Sequence, residues 1–527
     1  MPKVEVHKPS RSTQNLSFIN RTSIAPGVLV PVMVKECLPG DTWSISIDSL
    51  MKTLPLNGPL MGSFKVQFDT YFCPVRFYNA SLHDDQYSFD PDTVYFPHIR
   101  VQQRGLDQED LSVEKYAGIC PSSLLHHLGL PRWILPPKDT GSVSRYVNAC
   151  PVLAYYEIFR NYYANTQEPN FYYVNGFQDI AGSPYRIGVS SSPLILIDQT
   201  RSDILRYSAT TPNNSIQVPA NGPYNFSGDI HHVPLGGLAL RTYLPDMFSV
   251  WISEDRYEDT LSSALVDTTS GSFNMDALRL ANKINKMLQK TLIAGGRYSD
   301  WQYVQYGQSL RRVVEVPSFV HSTSYELVFE DVVQTSDSGS DDNPLGSLGA
   351  RGVGSGFGRR FRHHCPEHGF LITVCSVIPR VDYYQGTKHY FNHQRLSDVH
   401  IPALDGVGFQ DLLVDSLNSS DNGQTANGWA PLADAVGKQP AWTEYMTAVN
   451  EVHGDFAEEN KLMYLTLARQ FVNDPFEVLN DYTAYIKPDY YNYAFADASL
   501  TAQNFWLQIK FSVFVKRAIS KRVMPNL

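Results

Sequence analysis

A group of side chains that can bind a metal ion lies between residues 363 and 375: His363, His364, Cys365, His368 and Cys375. Imidazole and thiolate are preferred ligands of zinc, and a closed structural site takes four of them. Here His368 and Cys375 flank an apolar segment with the pattern of a strand, and no second pair completes a four-ligand set. We therefore interpret these residues as structural histidines and buried thiols, and we predict neither a metal nor a cofactor.

A glycine-rich stretch precedes this group, at residues 352–358. Backbone amides in such stretches can bind phosphate, but this one follows a polar segment, lacks the G-x-G-x-x-G spacing and opens no helix. We predict a flexible loop, part of a Gly- and Ser-rich loop over residues 335–358. The sequence also contains no H-E-x-x-H, Walker or G-x-S-x-G motif, and its paired carboxylates are adjacent in sequence, so they point in different directions. We therefore predict that the chain is not an enzyme.

The C-terminal end carries a cluster of basic residues. No acidic residue follows Asp497, and the candidates for phosphate contact there are Lys516, Arg517, Lys521 and Arg522. Trp506 lies upstream, and an indole ring can stack on the bases of a single strand. These five residues form the predicted nucleic-acid contact; a solvated tail after the last strand is the equally weighted alternative.

The composition favours association between copies. The chain has 527 residues, of which 12% are aromatic and only 18% charged, against roughly 25% charged residues in a typical soluble domain. The net charge of −10 argues against a protein that coats nucleic acid over its whole surface, because phosphate neutralisation needs concentrated Lys and Arg. Any contact with nucleic acid should therefore be local.

The compartment is expected to be reducing. The six cysteines include no C-x-x-C pair and are sparse for the chain length, which is typical of buried thiols. The N-terminus lacks a signal-like region, and no apolar run reaches the length that spans a bilayer. We expect the protein to be made and assembled in the cytoplasm, with no membrane partner.

Strand patterns occur near both ends of the chain. Apolar and polar residues alternate over 64–69 and 505–515, and β-branched residues are frequent over 27–34 and 369–378. A sheet that combines both chain ends is non-local, which favours a sandwich or jelly roll over a βαβ fold. We predict an all-β core with helical insertions: an antiparallel β jelly roll with long surface loops.

Helical periodicity appears only between the strand patterns. The predicted helices cover residues 152–164, 274–289 and 458–471. The expected organisation is an N-terminal arm over residues 1–26, followed by a single jelly-roll domain over residues 27–527.

Residues 165–236 have little periodicity and are rich in Asn, Pro, Tyr and Ser. Loops of this length are usually functional or disordered, and we predict an insertion on the outer surface. The residues expected to contact a receptor or glycan are Tyr172, Tyr173, Asn213 and Tyr224. The alternative function for the chain is a carbohydrate-binding jelly-roll protein of the receptor-binding or lectin type. It would stack sugars on the aromatic side chains of Tyr172, Tyr173, Tyr185 and Tyr224.

Several segments, in order along the chain, resemble the major capsid proteins of microviruses, particularly the gokushovirus-like branch. Leu278-Arg279-Leu280-Ala281 with Ile284 and Lys286, followed by Gly295-Gly296-Arg297-Tyr298, resembles the family's helix and its exit. The other matching segments are Leu38-Pro39-Gly40-Asp41-Thr42, Pro151 to Tyr163, Glu367-His368-Gly369-Phe370 and Gln385-Gly386. Residues 165–236 match nothing in this pattern, and Tyr390-Phe391-Asn392-His393 replaces the family's Trp-rich segment.

The resemblance implies a jelly roll of the viral capsid type and a structural protein of the virion. Equivalent copies, sixty in a T=1 arrangement, would close an icosahedral shell around circular single-stranded DNA. It also implies partners: a small basic or scaffolding protein, a DNA pilot protein and a host surface receptor. The long loops would form most of the capsid surface.

Overall fold

The fold is known from a computed structural model. It describes residues 10–56, 58–78, 98–102, 124–131, 144–163, 297–309, 316–333, 348–393, 395–404, 408–419, 435–458, 461–468, 488–497 and 502–519, with isolated positions between 82 and 96 and between 283 and 290. None of the described helices is long and apolar enough to cross a membrane.

Strands dominate the described residues. In chain order they are β1 (Ser12–Asn15), β2 (Phe18–Ile24), β3 (Val30–Cys37), β4 (Thr42–Leu56), β5 (Phe64–Pro74), β6 (His98–Gln102), β7 (Ser144–Asn148), β8 (Ser318–Val333), β9 (Leu348–Phe357), β10 (Phe361–His364), β11 (Gly369–Pro379), β12 (Asp382–Tyr383), β13 (Phe409–Leu413), β14 (Ala435–Pro440), β15 (Asn450–Glu451) and β16 (Phe505–Arg517).

The helices are short and lie in the connections between strands. The α-helices are α1 (Leu124–His127), α2 (Cys150–Tyr162), α3 (Tyr298–Tyr306) and α4 (Thr443–Met446). Single 3₁₀ turns occur at Val75–Tyr78, His389–Phe391, Leu396–Asp398, Pro402–Leu404, Val414–Ser416, Gly454–Ala457, Met463–Leu465 and Pro488–Ala494.

The main strands form the two sheets of a jelly roll. The first sheet has the order β2, β16, β4, and both β9 and β10 pair with the far edge of β4, one after the other along its length. The second sheet has the order β3, β11, β5, β8. All these pairs are antiparallel, and β2, β3, β4 and β5 alternate between the two sheets along the chain, as in a jelly roll. The β8–β9 pair joins the sheets along one side, so that they form a curled half-barrel. The predicted fold class is therefore confirmed.

Alternation along the strands builds the core between the sheets. In β16, Phe505, Leu507, Ile509, Phe511, Val513 and Val515 are all buried, while the residues between them face outward. Phe64, at the start of β5, is in ring contact with both Phe495 and Phe505 across the sandwich. The period of two in the sequence thus corresponds to one apolar face per strand.

Two long connections extend from the second sheet. One joins β5 to β8 and contains α2 and α3; the other joins β11 to β16. Helix α2 covers the outer side of this sheet, because the Tyr155 hydroxyl donates to the Leu29 carbonyl at 2.6 Å and Tyr162 lies against Tyr71 of β5. The C-terminal half of β5 is consequently buried on both faces. The helix predicted over 152–164 is confirmed.

Other sequence predictions differ from the structure. Residues 12–24, assigned to an N-terminal arm, lie in β1 and β2 and pair with β16. The helix predicted over 458–471 is wrong for the described residues, which contain a 3₁₀ turn at Met463–Leu465 and an extended segment after it. Of the helix predicted over 274–289, Lys283, Ile284 and Met287 are described and are helical.

The flexible loop predicted at residues 352–358 is wrong, because residues 348–357 form β9 between β4 and β8. Its glycines lie under aromatic side chains of β8. A Cβ on Gly356 would overlap Cδ1 of Tyr325, and one on Gly352 would be 2.8 Å from Cε1 of Phe329. The glycines therefore provide room for rings in the core, a packing role that composition alone does not distinguish from a flexible loop.

Candidate nucleic-acid interface

The outer side of the first sheet carries a row of basic and aromatic side chains. Residues directly opposite each other in antiparallel strands share a face. Trp506 of β16 lies opposite Lys52 of β4 and Ser23 of β2, and Gln508 lies opposite Arg21. Pairing therefore brings Arg21 and Lys52, which are 31 residues apart in sequence, to the two sides of Trp506.

The same side continues toward the other end of β16. Lys510 and Lys516 are exposed there, and Phe514 lies between them. Phe514 is opposite Ser44, which pairs in turn with Arg362 of β10. The guanidinium carbon of Arg360 lies 5.6 Å from the centre of the Phe514 ring. We call this surface the basic face; it consists of Arg21, Lys52, Arg360, Arg362, Trp506, Lys510, Phe514 and Lys516.

Positive charge predominates on the basic face although the whole chain is acidic. Asp48 of β4 lies opposite Lys510 on the same side of the sheet and brings a negative charge to a surface that carries six basic side chains. Trp506 and Phe514 are eight residues apart in the strand, which corresponds to about 27 Å at roughly 3.4 Å per residue. The face is thus long enough for several nucleotides of a single strand.

A groove of about 910 Å³ lies at the Trp506 end of the basic face. Strands β2, β4 and β16 form its floor, and His126 and His127 of α1 line it. Trp506 is 45% exposed, and the Nε–H of Arg21 donates to the Oε1 of Gln508 at 3.0 Å. Burial, with a smaller contribution from neighbouring His126, lowers the pKa of His127 to about 4. His127 is therefore neutral at pH 7, and the groove draws its positive charge from Arg21 and Lys52.

The structure separates the predicted nucleic-acid residues. Trp506 and Lys516 lie on the basic face, while Lys521 and Arg522 lie outside the described residues. Arg517 turns to the opposite side of the strand, where its Nη2 lies 2.6 Å from Oδ2 of the fully buried Asp41. The same nitrogen donates to the Glu36 carbonyl at 3.0 Å. These contacts give Arg517 a structural role.

Sequence reasoning missed the basic residues of β2, β4 and the β9–β10 connection. Arg359-Arg360-Phe361-Arg362 is a basic run that is visible in the sequence, and such runs often mark nucleic-acid contacts. Arg21 and Lys52 are isolated basic residues, so only strand register reveals their proximity. The predicted receptor contacts Tyr172, Tyr173, Asn213 and Tyr224 lie outside the described residues.

The side chains of the metal-ligand candidates point to separate environments. The His363 ring lies 5.3 Å from Phe72, while His364 is exposed. His368 is enclosed by aromatic residues of α3, with its Nδ1 3.2 Å from the Tyr298 hydroxyl and its Nε2 3.4 Å from the Tyr306 hydroxyl. Burial lowers the pKa of His368 to about 4. Within the described ranges, no group of three His, Cys, Asp or Glu side chains could hold a metal ion.

The predicted buried thiols are confirmed for the described cysteines. Cys37, Cys73, Cys150, Cys365 and Cys375 are buried and free. Desolvation raises the pKa of the Cys375 thiol and of the Cys73 thiol well above the ordinary value. Both thiols are therefore protonated at pH 7 and behave as small apolar side chains.

The jelly roll occurs in viral capsid proteins and in lectins, and a basic, aromatic outer face with long inserted connections favours the capsid class. Comparison with known proteins agrees with this class. The model of the capsid protein (F protein) family matches residues 3–527. Capsid protein VP1 of Bdellovibrio phage phiMH2K is 23% identical over 479 residues, covering 85% of this chain and 82% of the relative.

A second relative is also a capsid protein VP1. That of Chlamydia phage 1 is 23% identical over 538 residues, covering 88% of each chain. The chain therefore belongs to the capsid protein (F protein) family, and it is the major capsid protein of a microvirus. It is a non-enzymatic component of the virion and assembles into a multimeric shell. Nothing in these comparisons supports the carbohydrate-binding alternative.

Proposed function

We propose that sixty copies of the chain close a T=1 icosahedral shell around circular single-stranded DNA, and that the basic face lines the interior. Lys516 and Trp506 would contact the genome together with Arg21, Lys52 and Arg362. A small basic or scaffolding protein and a DNA pilot protein are proposed as further partners, and the 165–236 segment as the contact for a host receptor.

One observation carries the DNA contact: an acidic chain concentrates exposed Lys and Arg beside aromatic rings on a single sheet face. Helix α2 packs on the corresponding side of the second sheet, whereas the basic face is exposed. Lys and Arg bound to phosphate position a strand without reading its sequence. Aromatic stacking tolerates every base and contributes roughly 1–3 kcal/mol per base.

The test separates phosphate contact from stacking. Fluorescence anisotropy of a labelled oligodeoxythymidine would be measured with the unassembled full-length chain across a salt series. The triple variant Arg362→Ala, Lys510→Ala and Lys516→Ala should bind more weakly, and the slope of log affinity against log salt should fall by about 0.7 for each phosphate that the variant no longer neutralises. Trp506→Leu should weaken binding roughly tenfold and leave that slope unchanged.

Lys438→Ala is the matched control, because Lys438 is an exposed lysine on β14, away from the basic face. It should bind like the unaltered chain. The inward orientation is tested separately with an amine-reactive polymer too large to cross the shell. Lys510 and Lys516 should react only after particles are disassembled. Normal oligonucleotide binding by the triple variant, or labelling of both lysines in intact particles, would refute the proposal.

A further inference from the structure

The connection between β11 and β16 exposes a cluster of aromatic rings that the DNA proposal does not use. His389 is the centre of one part, with ring centres 5.5 Å from Tyr390 and 5.2 Å from Tyr445. His400 continues the cluster, 5.8 Å from Tyr445 and 5.0 Å from Trp442. We call this surface the ring patch; it consists of His389, Tyr390, Phe391, His400, Trp442, Tyr445 and Met446.

The ring patch has little core of its own. The described part of this connection has a small separate cluster of buried apolar residues: Val452, Met463 and Ala468. In contrast, the described residues between 390 and 449 include these exposed large apolar side chains: Tyr390, Phe391, Leu396, Ile401, Leu404, Phe409, Tyr445, Met446 and Val449. A large exposed apolar surface of this kind marks an interaction site.

The area and composition fit a protein interface. Fully burying an aromatic side chain removes about 150–250 Å² from water. The four exposed side chains of the ring patch, Tyr390, Phe391, Tyr445 and Met446, therefore offer roughly 100 Å² each, or about 400 Å² together. The five other exposed apolar side chains of the connection raise this total to about 900 Å². A standard interface buries about 800 Å² on each partner. Aromatic residues and Met are enriched at the centres of such interfaces, where charged residues are depleted. Lys388, beside the patch, is already paired with Glu451, which leaves this lysine poorly placed to bind phosphate.

We propose that the ring patch docks against a second copy of this chain in the assembled shell. Each subunit of a multimeric shell is surrounded by identical subunits, which makes a copy the partner present at the highest local concentration. The proposal rests on shell assembly and does not depend on where the DNA binds. Another virion protein, or a host carbohydrate stacked on the rings, is the competing occupant, and the experiment distinguishes each of them.

Photo-crosslinking identifies the occupant directly. Phe391 would be replaced by p-benzoylphenylalanine in particles assembled from mixed light and isotopically heavy chains. Mass spectrometry should find crosslinked peptide pairs that combine one light and one heavy chain. The same replacement at exposed Phe357, at the end of β9, is the control and should give no such pairs. Crosslinks that are confined to one chain, formed only with another virion protein, formed with carbohydrate or absent would overturn the proposal.

A second pair of variants measures the contribution to assembly. Met446 and Met61 are matched in residue type and exposure, at 67% and 70%. Met446→Glu should lower the yield of particles at least tenfold in sedimentation, whereas Met61→Glu should assemble normally. Both unassembled variants should keep the circular dichroism and oligonucleotide affinity of the original chain, which separates this result from failure of the DNA proposal. Normal assembly of Met446→Glu, or equal losses in both variants, would count against the ring patch.

Discussion

Replacing Arg517 by Met should destabilise the fold rather than the contact with DNA. Arg517 ends β16 and forms an ion pair with Asp41, whose other described partner is the Leu38 N–H at 3.0 Å. Asp41 is fully buried and Arg517 is only 16% exposed. The guanidinium carbon also lies 5.4 Å from the centre of the Trp43 ring. Methionine keeps much of the side-chain volume but removes the positive charge that contacts the carboxylate.

The expected loss is about 3 kcal/mol in the free energy of unfolding. Removing one partner of a buried pair typically costs roughly 3–5 kcal/mol, and the lower end applies because the edge of Arg517 reaches solvent. Burial raises the pKa of Asp41, while the Leu38 N–H and Arg517 oppose that rise. Without Arg517 the pKa rises further. The destabilisation should therefore be largest at neutral pH and shrink as the pH falls through this raised pKa, because a protonated carboxyl needs no counter-charge.

Urea unfolding of the unassembled chain, followed by circular dichroism at several pH values, measures this effect. Asp41→Asn combined with Arg517→Met should be less destabilised than the sum of the single variants, since the two side chains act on each other. Lys516→Met, one residue earlier and exposed, is the control and should change stability by less than about 0.5 kcal/mol. If Arg517→Met instead leaves stability unchanged and weakens oligonucleotide binding, the structural role assigned to Arg517 is refuted.

Two further predictions concern buried residues: one a close-packed glycine and the other a buried ion pair. Gly356→Ala should lower the free energy of unfolding by about 1–3 kcal/mol, because its Cβ would overlap the Tyr325 ring. Gly349→Ala, in the same strand, is the control, because its Cβ would meet only a backbone oxygen at 3.8 Å. It should leave the free energy of unfolding unchanged in the same urea titration. Arg76→Met should cost roughly 3–5 kcal/mol, because Arg76 and Glu367 form an ion pair that is 1% and 2% exposed. An Arg76→Met variant as stable as the original chain would contradict this reasoning.

The strands could be predicted from the sequence because each of them alternates between core and solvent. The period of two over 505–515 identified both the strand and its buried face. The neighbours of a residue on adjacent strands could not be predicted in this way, because nothing in the sequence around Trp506 indicates that Arg21 and Lys52 lie beside it. Register between distant segments determined those neighbours, and a single sequence does not contain that information in its local pattern.

The errors have physical causes that can be stated for particular residues. Repeated glycines at 352–358 suggested flexibility, yet Tyr325 and Phe329 occupy the space that side chains would fill. Arg517 was grouped with Lys516 because the two are adjacent and basic. Adjacent residues of a strand point to opposite sides, so the neighbour of an exposed lysine on β16 is directed toward Asp41. The same alternation that revealed the strand could have separated these two residues.

Strand β16 links folding to the proposed interface. It lies between β2 and β4 and supplies Trp506, Lys510, Phe514 and Lys516, the central row of the basic face. Its partners lie at the other end of the chain, in contacts of very high sequence separation, and such contacts form slowly because a long loop must close first. Strand β16 can be added only after residues 505–517 have been synthesised. The groove at Trp506 therefore exists only in a chain whose jelly roll is complete, so an unfinished subunit lacks the surface proposed to hold the genome.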